Sequence, residues 1–227
     1  MKSTRPVATP HKHGFLSYGT HCLSYVSPEA RKVVSAAEKS TLQVAAFDLD
    51  DTLVKTKSGT KFARTADDWT WWHKDVPEKL QSWISEHPSG ILVIFTNQGG
   101  VTNNAPPAKP SVSLTKLLDR LHAIAVALAP LPLIIYAATK RSSADTKLGR
   151  GSPLDLHTRF RKPGPGMWEH LVKEQLNGNP PKEAFYVGDA AGRKGDFADT
   201  DKAFAATIDV PFYTPEEFFK ENDKSDK

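Results

Sequence analysis

The 227-residue sequence holds a single cysteine, Cys22, so it can form neither an internal disulfide nor a zinc site built from several thiolates. That favours a reducing, intracellular setting. No apolar run approaches the roughly 20 residues of a membrane-spanning helix, and no membrane partner is expected. Acidic residues are missing from positions 1–28, where Lys2, Arg5 and Lys12 stand. A Gly-x-x-x-x-Gly-Lys-Ser/Thr phosphate loop is missing throughout, which excludes P-loop chemistry from these residues. What is present is ordinary globular composition, 39% hydrophobic and 25% charged, enough to build the core of one large domain. The net charge of +4 mildly favours a polyanionic partner.

Residues 1–28 read as a flexible N-terminal arm or a small edge hairpin around 22–26. Pro6, Pro10 and Gly14 interrupt any amphipathic targeting helix, and a mitochondrial transit peptide is the competing reading. Residues 29–220 read as a single domain and 221–227 as a charged tail. Within the domain, short apolar runs at 44–47, 91–95, 133–138 and 184–187 have the length of buried parallel strands. Helical patterns lie between them. Asp75 and Glu78 resemble a capping box ahead of Leu80, Trp83 and Ile84. Ser113 would cap a stripe of Leu114, Leu117, Leu118, Leu121, Ile124 and Leu128. A third helix over 167–176 would stop at Gly178. Strands alternating with helices predict an α/β fold, a central parallel sheet with helices on both faces.

Each strand runs into a polar motif. Phe47 leads into Asp48-Leu49-Asp50-Asp51-Thr52, Phe95 into Thr96-Asn97-Gln98-Gly99-Gly100, and Val187 into Gly188-Asp189. In an open parallel sheet these strand ends share one crevice. A carboxylate there is costly to bury unless it is paired or bound to a cation. The group types suit phosphoryl transfer, with a carboxylate nucleophile, a second carboxylic acid two residues on, and a hard divalent cation. Asp48 and Asp189, with the backbone carbonyl of Asp50, would hold Mg²⁺, while Thr96 and Lys162 would hold phosphoryl oxygens.

In order and context, Asp-x-Asp-x-Thr, a strand-end Thr, Lys-Pro and Gly-Asp resemble the haloacid dehalogenase superfamily. The fuller segments 46–53, 95–100, Arg161-Lys162-Pro163-Gly164 and 186–193, with Pro211-Phe212 and Thr214-Pro215-Glu216-Glu217-Phe218-Phe219, are similar to the phosphatase of the polynucleotide kinase 3′-phosphatase family. The resemblance covers nearly the whole chain and the phosphatase alone. It implies a Rossmann-like fold, Asp48 as nucleophile, Asp50 as general acid and then base, Thr96, Asn97 and Lys162 as phosphate ligands, and Asp48, Asp50 and Asp189 around Mg²⁺. The second acid of the last motif stays open among Asp196, Asp199 and Asp201.

The resemblance further implies a monomer that dephosphorylates DNA ends carrying a 3′-phosphate in strand-break repair, in the nucleus. A small-molecule phosphatase of the histidinol phosphate or heptose bisphosphate type is the alternative, since those enzymes share Thr-Asn-Gln. They commonly carry a cysteine-rich zinc loop, and residues 101–110 contain no cysteine. Neither inter-motif stretch is long enough for a large cap domain, and Lys57-Ser58-Gly59-Thr60 suggests only a small hairpin flap. Lys140, Arg141 and Arg161 are candidates for a DNA path, against the plainer reading of a solvated basic face. Trp69, Trp71 and Trp72 read as core rather than as stacking platforms. The eight histidines show no metal-ligand spacing.

Overall fold

The computed structural model describes residues 8–38 and 41–220. Three short strands come first, β1 (Thr9–Pro10), β2 (Leu16–Tyr18) and β3 (Cys22–Val26), then α1 (Pro28–Ala36) and β4 (Gln43–Phe47). A hairpin of β5 (Val54–Lys55) and β6 (Thr70–Trp71) precedes α2 (Val76–Glu86), β7 (Gly90–Thr102), α3 (Val112–Ala127) and β8 (Leu133–Lys140). After β8 come α4 (Ser143–Lys147), α5 (Leu154–Phe160) and α6 (Gly166–His170), the last running into a π-helical turn over Leu171–Gln175. The chain closes with β9 (Glu183–Val187), α7 (Thr200–Thr207), β10 (Phe212–Tyr213) and α8 (Pro215–Phe219).

One sheet runs β1-β2-β3-β8-β7-β4-β9-β10, parallel from β8 to β10. Alternation along the central strands decides which helix goes where. Ala45, Phe47, Leu92, Ile94 and Ile135 face Leu80 of α2, the leucines of α3 and Phe219 of α8. Val44, Ala46, Val93, Phe95 and Tyr136 face Ala30 of α1, Met167 of α6 and Phe204 of α7. The helices therefore cover both faces of the sheet, as the alternation of elements predicts. Trp69, Trp71 and Trp72 pack against the first of these cores.

Several local expectations change. Ser111, not Ser113, caps α3, its hydroxyl accepting the Leu114 N–H at 3.0 Å; Ser113 already lies inside the first turn. Asp75 stands at the N-cap of α2 without making a cap bond, its carboxylate lying 3.4 Å from His73 Nδ1. A complete capping box sits instead at Thr214 and Glu217 of α8. The strand foreseen over 91–95 continues to Thr102, because residues 96–102 keep pairing with β8 through a bulge.

Residues 1–7 and 221–227 lie outside the described residues. In the remainder of the N-terminal segment, β2 and β3 form a hairpin, and β3 pairs antiparallel with β8 over five registers from Cys22–Ala138 to Val26–Ile134. A division at residue 28 thus separates β1, β2 and β3 from the rest of the sheet to which they belong.

Candidate active site

The carboxyl ends of β4, β7 and β9 carry the motifs. The Asp48 N–H donates to Val187 O at 2.8 Å, which ties the first motif to the end of β9. The chain then turns sharply, with Asp51 in the left-handed region (φ 59°) and the N–H groups of Leu53 and Val54 both donating to Leu49 O at 3.0 Å. Aspartate tolerates that conformation better than most residues. Leu49 and Leu53 pack into the core and anchor the turn, and Thr52 beside them is fully buried.

At the centre stands Lys162, almost wholly buried. Its Nζ donates to Asp48 Oδ1 at 2.5 Å, Asp201 Oδ1 at 2.7 Å and the Tyr186 hydroxyl at 2.7 Å. The hydroxyl in turn donates to Asp201 Oδ1 at 2.9 Å, and the Ala190 N–H donates to Asp201 Oδ2 at 3.1 Å. Gly188 makes this approach feasible, since a β-carbon there would fall 2.5 Å from the Asp201 side chain. Oxygens of Asp48, Asp189 and Asp201 all lie within 4.8 Å of one another, and the Thr52 hydroxyl donates to Asp189 at 3.4 Å.

Three acids at such spacing disfavour their shared negative charge. Burial pushes the Asp48 carboxyl well above its ordinary range; Lys162 opposes this, and Asp201 and Asp189 add to it. Asp189 is raised to about 6, by burial first and then by Asp201 and Asp51. For Lys162, burial acts to lower the pKa, yet Asp201 and Asp48 outweigh it and hold the ammonium protonated. An all-oxygen, acid-rich set with raised proton affinity is what a hard divalent cation relieves, so the residues fit Mg²⁺.

Asp201 is the acid that the last motif left open. Asp196 instead caps its own loop, accepting the Ala191 and Arg193 N–H groups and the Arg193 guanidinium. The Asp199 side chain lies against Gly192, away from the acidic group.

Thr96 is buried and its hydroxyl accepts from Gln98 Nε2 at 2.8 Å. The Asn97 amide is engaged at both ends with the backbone of Lys162, donating to its carbonyl at 3.0 Å and accepting its N–H at 2.9 Å. Its side chain therefore orients the lysine. The Asp50 carboxylate is outside the acidic group, receiving Arg120 Nη2 at 2.7 Å and Gln98 Nε2 at 3.0 Å. The Arg161 guanidinium lies beside Gly99 of the second motif. Lys140 ends β8 and Arg141 follows it, one strand over from β7 at the same end of the sheet.

The roof is slight. Among the described residues, only the β5–β6 hairpin and its loop separate the first motif from α2, and α3, β8, α4 and α5 fill the path from Thr102 to Arg161. Asp68 braces the hairpin loop, accepting the Arg64 N–H, the Ser58 hydroxyl and the Ser58 N–H, which together hold its carboxyl down to about 2. Lys61 of this loop lies 3.8 Å from the ring of the exposed Phe197, between Asp189 and Asp201 in sequence.

Sequence reasoning missed Arg120, Gln98 and Tyr186. Gln98 is next to a chosen residue and Tyr186 hides in an apolar strand. Arg120 had one signal, a cation inside the apolar stripe of α3.

Residues 43–219 match the family described as polynucleotide kinase 3 phosphatase. The chain belongs to this family. It is 42% identical over 181 residues to a bifunctional polynucleotide phosphatase/kinase of Schizosaccharomyces pombe, with 80% of this chain and 38% of that protein aligned. It is 37% identical over 181 residues to a polynucleotide 3′-phosphatase of Arabidopsis thaliana, covering 78% of this chain and 24% of that one. The polynucleotide 3′-phosphatase of Saccharomyces cerevisiae is 33% identical over 211 residues, with 78% of this chain and 87% of that protein covered. The chain thus spans well under half of the first two relatives and most of the third.

Proposed function

We propose that this family member removes the 3′-phosphate from DNA ends through a phosphoryl-aspartate on Asp48, and that it acts in DNA strand-break repair in the nucleus. The observation that carries the reading is the convergence of Asp48, Asp189, Asp201 and Lys162 at the strand ends, in a chain matched across residues 43–219 by a 3′-phosphatase family.

In this reading an Asp48 oxygen forms a bond to phosphorus as the bond from phosphorus to the 3′-oxygen breaks, and Asp50 protonates the departing oxygen. Asp50 then takes a proton from water as that water attacks phosphorus, releasing inorganic phosphate and restoring Asp48. Thr96 and Lys162 hold the phosphoryl oxygens. Asp48, Asp189 and Asp201, with the Asp50 carbonyl, would hold Mg²⁺. When bound, Mg²⁺ supplies positive charge that offsets repulsion between the carboxylate and the phosphate. The slight roof supports a polymer end as substrate over a small metabolite, and Lys140, Arg141 and Arg161 would meet its backbone phosphates.

Phosphate release from a 3′-phosphorylated oligonucleotide, compared with a sugar phosphate and a 5′-phosphorylated oligonucleotide, tests the reading. A higher kcat/KM on the 3′-phosphorylated end is expected. Preference for the sugar phosphate would overturn it in favour of the small-molecule alternative.

A further inference from the structure

Arg120 is an oddity of α3. The buried side of this helix is otherwise leucine, isoleucine and alanine, and a guanidinium placed there has lost most of its water. Burying a cation is costly unless it is paired. Its one hydrogen bond among the described residues goes to Asp50 Oδ1, 2.7 Å from Nη2, while its Nε is buried with no partner. Of the five N–H donors of the guanidinium, the one with a partner among the described residues is directed at Asp50. Asp50, by contrast, is only half-covered, and its carboxyl would otherwise turn freely at the mouth of the site. Gln98 completes the arrangement by donating from one nitrogen to both Asp50 Oδ2 and Thr96 Oγ1. Both Asp50 oxygens are thus fixed, one from α3 and one from β7, and the second bond ties the carboxyl to the hydroxyl assigned to phosphate.

We propose that Arg120 is a positioning residue for proton transfer, holding the Asp50 carboxyl against the leaving oxygen of the substrate. This rests on the role given to Asp50 above. Misplacing a reacting group by about 1 Å can cost on the order of 10²-fold in rate, and general acid catalysis is worth about 10²–10⁴-fold. The consequence is selective. Breaking the bond to a sugar 3′-oxygen needs a proton delivered to a poor leaving group, whereas p-nitrophenolate departs without one.

The experiment compares kcat/KM of the full chain and its R120M, R120K and D50N variants on a 3′-phosphorylated oligonucleotide and on p-nitrophenyl phosphate, at fixed pH and Mg²⁺. This constant reports steps up to phosphoryl transfer and excludes later hydrolysis of the phosphoryl-aspartate. R120M is expected to lose about 10–10²-fold on the oligonucleotide and under about threefold on the phenyl ester, with R120K between it and wild type. D50N should show the same selectivity, with a larger loss. Thermal melting establishes that each variant is folded. Should R120M fail to fold, R120K decides alone by its ratio on the two substrates. Equal losses on both substrates, or no loss on the oligonucleotide, overturn the proposal while leaving the Asp50 reading in place. A D50N variant without selectivity overturns the Asp50 reading and this proposal together.

Discussion

Lys162 places its ammonium 2.5 Å from the Asp48 carboxylate, and the same nitrogen reaches Asp201 at 2.7 Å. One buried cation therefore bridges two buried acids, one at the end of β4 and one in the first turn of α7. Replacing it by methionine keeps the volume and leaves the acids facing each other. Removing one partner of a buried ion pair typically costs about 3–5 kcal/mol. Lys162→Met should lower the urea midpoint by a corresponding amount, and saturating Mg²⁺ should return part of the loss. An unchanged midpoint would show that the acids shed their charge at no cost.

Asp48→Asn should abolish phosphate release from every monoester, because an amide does not attack phosphorus as a carboxylate does. Far-ultraviolet circular dichroism and the melting temperature should still report a folded chain. Near-normal turnover in a folded Asp48→Asn protein would rule out Asp48 as the nucleophile.

The two acids of the last motif should separate. Asp201→Asn should weaken Mg²⁺ binding by about 10–100-fold, as loss of a group that supports metal ligands typically does, and should lower kcat accordingly. Asp196→Asn loosens only its loop and should leave Mg²⁺ affinity within about threefold. Calorimetric titration with Mg²⁺ measures both, and reversed sensitivities would exchange the assignments.

Much of this was legible in the sequence. Uninterrupted β-length apolar runs specified a sheet buried on both faces, and the acids or threonine that follow three of them, Asp48, Thr96 and Asp189, specified where chemistry could gather. Asp201 was harder, because sequence spacing along an irregular loop does not reveal which carboxylate turns inward. That depends on Gly188 leaving room for it and on the Ala190 N–H waiting to bind it. The Asn97 amide was equally hidden, since its partner is the backbone of Lys162, 65 residues away. A hairpin around 22–26 was one of two readings of the N-terminal segment, but its place inside the sheet was hidden, because β3 pairs with β8 more than 100 residues downstream.

Asp189 should make Mg²⁺ binding pH-dependent. Its carboxyl, ordinarily near 3.8, is raised to about 6 by burial and then by Asp201 and Asp51. A carboxyl that holds its proton more tightly when folded favours the metal-free fold at low pH, and that contribution is lost as pH rises from about 4 through about 6. Mg²⁺ must displace the proton, so its apparent affinity should climb over that interval and level off above it. Calorimetry in two buffers of different ionisation enthalpy should detect proton release near pH 5 and almost none near pH 8. Equal proton release at both would exclude Asp189 as the titrating ligand.

Charge reversal at Lys140, Arg141 or Arg161 should raise KM for a 3′-phosphorylated oligonucleotide and spare p-nitrophenyl phosphate. For each phosphate no longer neutralised, the slope of log affinity against log salt should shrink by about 0.7 on a single strand. Steady-state kinetics at several salt concentrations measure both quantities. An unaltered slope in all three variants would place the DNA path elsewhere.

The antiparallel strand β3 has a further consequence for anyone trimming this protein. A cut before α1 would strip β8 of its outer neighbour and leave a long apolar strand with unpaired amide and carbonyl groups open to solvent. Such an edge is a template for joining a second chain. The same cut would take away Thr20 and His21, which bind Ser152 and His157 beyond β8 and fasten the basic segment that follows Lys140. A fragment beginning at residue 29 would therefore retain every catalytic group named above and still be prone to aggregate, its solubility having depended on the discarded strand.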